Sequence, residues 1–378
     1  MTDLHPDRYV QKALISTTSK LFGIYENKDI LITHAWSHYS GQGQFTNTEN
    51  PLCRNSFVVT FRVDEVEKTI GKTTMLQNYS YMGDVISCYL SILYGKRFDS
   101  HGLLESVGRF CLPQFQQYSS FSKPQIPQNN HSPRKDLEIP LNLVEISRIE
   151  RLLLDESLNE RFVHFLDTAG KFYLLALQSF ESQPEIAYLN LVTAGEVLSN
   201  YFHYDKDDLL DEKTKELLAA IEVGLENGQK IANHFRGKLL QVKARFVRTI
   251  CSLINDYFFS HSESSRDYCA LKKEDFKNRV SAAYDLRSIY LHTGVSFGEY
   301  IGGWSTGGPE IQVGSYLVGD REFQEALDKA PTYYGLERII RFCLLSFIHM
   351  HGFPIDSRLD SNWAEDGAIV EPSQSSES

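Results

Sequence analysis

SSFSKPQIPQNNHSPRKDLEIP, residues 119–140, is the stretch on which the architecture turns. It carries Pro124, Pro127, Pro133 and Pro140, with serine, asparagine and glutamine between them. Proline has no amide donor and pushes its predecessor away from the helical region, so neither a regular helix nor a central strand fits here. The stretch reads as a linker, placed at 119–142, between two halves of different character.

Before it, residues 1–118 read as an α+β domain. ILITHAW at 30–36 and SFVVTFRV at 56–63 are rich in β-branched and aromatic residues and predict strands, separated by a polar Gly/Asn/Thr loop. VQKALISTTSKLFG at 10–23 predicts a helix. GDVISCYLSILYG at 83–95 predicts either a buried helix or a strand, because periodicity does not separate the two in so apolar a run. After the linker, residues 143–355 read as a mainly α helical bundle. The expected helices are 144–155, 157–181, 184–203, 212–225, 227–259, 272–293 and 333–350. An acidic loop, YDKDDLLDEKTKE at 204–216, leads into one of them, and a Gly-rich insertion at 294–320 interrupts the series. The polar, acidic tail at 361–378 is expected to be disordered.

Length agrees with two domains: 378 residues exceed what one hydrophobic core usually organises. Hydrophobic residues make up 42% and charged residues 23%, which excludes a disordered or collagen-like chain. The net charge of −11 argues against a protein that coats nucleic acid non-specifically, and leaves a local basic face as the only route to an RNA backbone. Six cysteines occur with no CxxC spacing, as expected of free thiols in a reducing compartment. MTDLHPDRYV at the start has no apolar h-region, and the longest apolar run, 339–348, is short and carries Arg341. A cytoplasmic protein without a membrane span is expected.

One local inversion of charge stands out. From Asn227 to Asn255 there is no Asp or Glu, yet six Lys or Arg occur. Read as a single helix over 227–259, Leu239, Val242, Phe246, Ile250, Leu253 and Tyr257 fall within about 80° of one another and form a core-facing stripe. Lys230, Lys238, Arg245 and Arg248 fall on the opposite side. They form either a solvated face, paired with the acidic loop, or an anion-binding face for an RNA backbone.

AYDLRSIYLHTG at 283–294 holds the chemistry of most interest. It places Arg287 five residues before His292, near the end of an expected helix. Arginine is a permanent cation whose fork matches phosphate oxygens. Histidine gives and takes protons near neutral pH. The pair is a minimal set for cleaving a phosphodiester without a metal. Five residues on an ideal helix span about 140°, so the two side chains do not share a face unless the helix distorts or Arg287 reaches round.

This region resembles the HEPN domain, most closely its ApeA-like branch, over about 145–355. The resemblance rests on YDLRSIYLHTG as the R-x(4–6)-H helix followed by glycine, on LNLVTAGEVLSNYF with Glu196 in the family's glutamate position, and on YYGLERIIRFCLLSFI with Arg338 and Arg341 in the last helix. It implies a homodimer whose two motifs share a cleft, and a metal-independent endoribonuclease of the kind found in toxin–antitoxin and antiviral defence systems. On that resemblance His292 is the general acid or base and Arg287 holds the scissile phosphate. The products are a 2′,3′-cyclic phosphate and a 5′-hydroxyl. RNA is the implied partner, with a trigger or antitoxin acting through residues 1–118, and no cofactor is implied. Ser288 differs from the Asn, Asp or His that many active members carry there. Glu196 is expected to pair with Arg287 or Arg341, or to orient Arg287. Tyr290 packs in the core or stacks on a base. The rival expectation is a non-catalytic module of the same kind that binds RNA or a nucleotide; a third is an interaction protein in which the motif is incidental.

Other chemistry has little support in the sequence. His34 and His38 have i, i+4 spacing but no further ligands, and no metal site is expected. His349 and His351 suit a helix end. The chain has no P-loop, dinucleotide fingerprint or G-x-S-x-G elbow.

Overall fold

The structure is a computed structural model that describes residues 8–35, 54–64, 68–70, 73–75, 78–106, 108–116, 122–155, 157–205, 209–238, 242–302, 308–316 and 318–360. The 361–378 tail, His38 and Cys53 lie outside the described residues.

The first half is an antiparallel sheet backed by one helix. Its strands are β1 (Arg8–Thr17), β2 (Tyr25–Glu26), β3 (Ile30–His34), β4 (Asn55–Asp64), β7 (Phe98–Ser106) and β8 (Arg109–Phe110), in the order β2-β3-β4-β1-β7-β8. A separate two-stranded ribbon joins β5 (Lys68–Ile70) and β6 (Thr73–Met75). The helix expected over 10–23 is not formed: residues 8–17 are strand β1. β1 is a central strand, paired with β4 on one side and β7 on the other, with Ala13 opposite Val59 and Ile15 opposite Phe57. Residues 13–17 are buried without a break. Covering both faces of a strand removes the apolar–polar alternation that distinguishes it from a helix. The two strands expected from β-branched composition, β3 and β4, are present.

The 83–95 run resolves as helix α1 (Tyr81–Tyr94), ended by Gly95 in the left-handed region at φ 62°. α1 lies on the sheet with one face and on the second half with the other. A Cβ at Gly170 would stand 2.5 Å from Cys88 Sγ, so glycine is what lets α1 approach so closely. One apolar core therefore runs from Ile15, Phe57 and Val59 through Ile86 and Leu90 into Leu166, Leu191 and Ile339.

The second half is mainly helical: α2 (Glu150–Leu154), α3 (Glu160–Ser179), α4 (Pro184–Ser199), α5 (Glu212–Gly224), α6 (Gly228–Lys238), α7 (Val242–Leu253), α8 (Asp256–Ser260), α9 (Phe276–Thr293), α10 (Gly298–Ile301), α11 (Arg321–Lys329) and α12 (Tyr333–Met350). α12 is buried along most of its length, and α3, α4 and α7 pack round it. The single helix expected over 227–259 does not reach 259: α7 ends at Leu253 and α8 starts afresh at Asp256, while residues 239–241, between α6 and α7, lie outside the described residues. Asn255 caps α8 by accepting from the Phe258 amide, which sets a new helix start where the apolar stripe had suggested continuity. Phe246, Ile250 and Leu253 do face the core, as that stripe requires.

Of the 119–142 stretch, the described residues 122–142 are irregular, as their prolines demand, yet they are not a free linker. Ile126, Leu137, Ile139 and Leu141 are buried. Arg134 and Asp136 lie at the centre of an ionic junction between the two halves. Arg134 donates to both oxygens of Glu263, each at 2.7 Å, and to Glu337 at 2.9 and 2.6 Å. Asp136 accepts from Arg341 at 2.9 Å, and Arg341 also donates to the Ile92 and Leu93 carbonyls of α1. Arg338 donates to Glu310 at 2.8 Å and lies over the Phe258 ring. Lys96 is enclosed beside them, donating to Pro127 O and Asn130 Oδ1; burial, then the neighbouring Arg134 charge, push its amine well below the usual lysine range. Composition signals an exposed connector because it counts polar residues. It does not register that their charges will be matched by carboxylates from remote segments.

Among the described residues no helix is long and apolar enough to cross a membrane. Cys88, Cys269 and Cys343 are buried free thiols, and Cys111 and Cys251 are half-buried free thiols.

Candidate functional site

The site is built from the middle of α4 and the second half of α9. Gly195 on α4 has no side chain, and a Cβ there would stand 2.5 Å from the Phe246 ring. That gap seats Phe246 of α7 against α4. Tyr284 of α9 packs on Phe246 with ring centroids 5.6 Å apart. Tyr284 in turn lies close enough to feel the charge of Glu196, the residue after the glycine. Burial, then the charge of Glu196, push the Tyr284 hydroxyl above its ordinary value.

Glu196 also accepts from Arg287 Nη2 at 3.0 Å, and the guanidinium lies 5.5 Å from the Tyr284 ring. Of the two arginines expected for Glu196, Arg287 is the partner. The side chains are 13% and 23% exposed, so the pair is shielded from water without being sealed from it. Glu196 takes only one guanidinium nitrogen, and Arg287 Nε is a buried donor with no hydrogen-bond partner. Because Nε is buried, a second anion can meet this guanidinium only at the part of the side chain that is open to water.

α9 runs unbroken through the motif and ends at Gly294, which adopts φ 70° and donates its amide to Tyr290 O at 2.8 Å. His292 therefore sits in the last turn. It is exposed, and its side chain makes no hydrogen bond among the described residues. The absence of distortion means that Arg287 and His292 of one chain project from different faces of the helix, at the angle their spacing gives.

The other expected site residues divide. Ser288 is half-buried next to Arg287. Tyr290 is half-buried and meets Phe297 edge-on at 5.5 Å, a packing contact. Arg341 is fully buried in the ionic junction, on Asp136 and the α1 carbonyls, and does not join Glu196. Lys230 and Lys238 belong to α6, and the Lys238 side chain lies outside the described residues. Arg245 and Arg248 belong to α7, where Arg248 lies 5.2 Å from the Tyr204 ring and Arg245 has a buried Nε with no hydrogen-bond partner. Lys243, also on α7, is held by Asp285 of α9 at 2.6 Å.

The Gly-rich insertion turns back onto α4. Ser296 and the Gly298 amide donate to Glu185, and Phe297 is buried against Tyr188. Its described residues leave His292 open to solvent; 303–307 and 317 lie outside them. His34 packs on Phe57 with centroids 5.0 Å apart. His349 and His351 bond within the α12 terminus, His349 to Phe353 O and Asp360, and His351 to Phe347 O and Tyr201. Among the described residues no group of three or more His, Cys, Asp or Glu is placed to hold a metal ion.

Sequence reasoning missed Tyr284. Its signal was present: three residues before Arg287 on a helix is the next position on the same face.

No family model, no curated protein and no solved structure matches this chain.

Proposed function

We propose that this chain is a metal-independent endoribonuclease of the R-x4-H type, acting as a homodimer and serving as a defence effector or toxin. The supporting observation is the contrast within α9: Arg287 is fixed by Glu196 with donors to spare, and His292 is exposed and unpaired. In this reading Arg287 binds the scissile phosphate and stabilises the charge that builds on its oxygens. His292 of one copy takes the proton from the ribose 2′-hydroxyl. The 2′-oxygen attacks phosphorus and the P–O5′ bond breaks. His292 of the second copy protonates the departing 5′-oxygen, leaving a 2′,3′-cyclic phosphate and a 5′-hydroxyl. Two copies answer the geometric difficulty, because the histidine facing a given arginine then comes from the other chain.

A second reading is a non-catalytic module that binds RNA or a nucleotide. It is favoured by the undistorted α9, which keeps Arg287 and His292 of one chain on separate faces.

Purified protein incubated with mixed RNA in EDTA separates the two readings. Cleavage to 2′,3′-cyclic ends, lost in Arg287→Ala and in His292→Ala, is expected. Binding without cleavage, weakened by Arg287→Ala, would establish the second reading. Cleavage that persists in both variants would sink the proposal.

A further inference from the structure

We infer that Arg245 and Tyr204 form a phosphate-binding subsite on the flank of α7 that faces away from α9. Arg245 is half-buried. Its Nε is buried without a hydrogen-bond partner, and among the described residues its side chain makes no hydrogen bond and no ion pair. Its terminal nitrogens are not buried, so they reach water. The chain carries 49 acidic residues against 38 lysines and arginines, so carboxylates are in excess, and an arginine left without one is conspicuous. A cation partly withdrawn from water and unpaired costs free energy, which an arriving anion offsets.

The neighbourhood supplies a second donor. Arg248 and Thr249 follow Arg245 by three and four residues and share its side of the helix. Tyr204 lies against that side: its hydroxyl is 2.8 Å from Thr249 Oγ1, and the Arg248 guanidinium is 5.2 Å from its ring. Either oxygen of the Tyr204–Thr249 pair can donate. With Thr249 donating, the phenol proton is left for a ligand. Burial holds the phenol above its ordinary value against the opposing pull of Thr249, Arg248 and Arg245, so it keeps that proton at neutral pH. Lys243, about 200° round the helix from Arg245, is bound by Asp285 of α9. Arg245 is therefore across α7 from Arg287, and the two are separate sites.

The donor set names the ligand. A carboxylate has two oxygens, and the guanidinium fork alone fills them. A phosphate group has oxygens enough to meet the terminal nitrogens of Arg245 and the Tyr204 hydroxyl at once. No acidic residue occurs from Asn227 to Asn255, so α7 itself carries nothing that competes for Arg245 or repels the anion. The phosphate belongs to an RNA strand or to a small phosphorylated molecule; the recognition chemistry is the same. The subsite does not rest on cleavage at Arg287 and His292.

Titrating the full chain carrying Arg287→Ala with inorganic phosphate reads this subsite alone, because the other arginine proposed to hold a phosphate is gone. Saturable binding by calorimetry is expected, with a rise in melting temperature. Adding Arg245→Met is expected to weaken binding roughly 100-fold, and adding Tyr204→Phe, which keeps the ring, roughly tenfold. Without phosphate, the Arg245→Met chain is expected to unfold at the same urea concentration as its parent or a higher one, because the change removes an uncompensated charge. Absence of saturable binding, phosphate affinity unchanged by Arg245→Met, or a fall in stability like that expected of the buried junction arginines would overturn the inference. Single-stranded RNA separates the two sources. Weaker RNA binding in Arg245→Met assigns the subsite to the RNA backbone, and unchanged RNA binding with lost phosphate binding assigns it to a small phosphorylated ligand. None of these readouts involves RNA cleavage, so the subsite and the nuclease reading fail separately.

Discussion

Arginine–carboxylate chemistry is used in two opposite ways in this protein. At the junction of the two halves, Arg134, Arg338 and Arg341 are buried and paired with Glu263, Glu337, Glu310 and Asp136. At the α4–α9 site, Arg287 has one carboxylate, one bonded nitrogen and partial access to water. The first arrangement sits beyond the reach of any ligand. The second keeps bonding capacity in hand. Arg338 Nε in the junction also lacks a hydrogen-bond partner, so what makes Arg287 available for binding is its access to water, since charge and residue type are the same in both places.

The comparison breaks first at the junction. Removing one member of a buried, multiply bonded pair strands its partner, so Arg134→Met and Glu337→Gln are each expected to cost about 3–5 kcal/mol. Urea titration checks this, and a loss below about 1 kcal/mol would mean that the junction is not closed as described. Next comes the open site. His292→Ala is expected to lower RNA cleavage by roughly 100-fold or more, with stability changed by less than about 0.5 kcal/mol. A His292→Ala protein that unfolds in the same urea range as Arg134→Met would erase the distinction between the regions.

Acid sharpens the difference. Burial alone would raise the Glu263 carboxyl, but Arg134 overrides it and holds it down to about 2. A carboxyl depressed in the folded state stabilises above its unfolded value, here the ordinary 4.5, and that contribution drains away as pH falls through about 2. Thermal melting between pH 5 and 2 is expected to show a loss of about 3 kcal/mol from this group, largely abolished in Glu263→Gln. The smallest effect is expected at Tyr284→Phe. It removes the hydroxyl beside Glu196 but keeps the ring near Arg287, costing about 1 kcal/mol or less in stability and lowering cleavage only modestly. A loss as large as that of Arg287→Ala would move Tyr284 from positioning Arg287 to contacting RNA.

Local signals were enough for β3, β4, α3, α4, α9 and α12, because each has a composition or a periodicity that belongs to it alone. They were enough also to set Arg287 beside His292 by spacing, but not to give Glu196 a partner, which stayed open between Arg287 and Arg341. The assignment of residues 10–23 failed where both faces of β1 are covered, and that of 227–259 failed where a cap at Asn255 restarts the chain. The 119–142 stretch misled for a third reason: its polar residues are neutralised by Glu263, Glu337 and Arg341, more than a hundred residues away.

Residue order by itself therefore determined the helical second half, the placement of Arg287 and His292 on one helix, and their separation in angle. Those properties depend on bonds and contacts a few residues apart, which a local pattern encodes. Only the tertiary structure decided which arginine Glu196 holds, that Arg341 is spent inside and that Tyr284 joins the site. Each of those is a competition among distant partners, settled by which groups burial forces together.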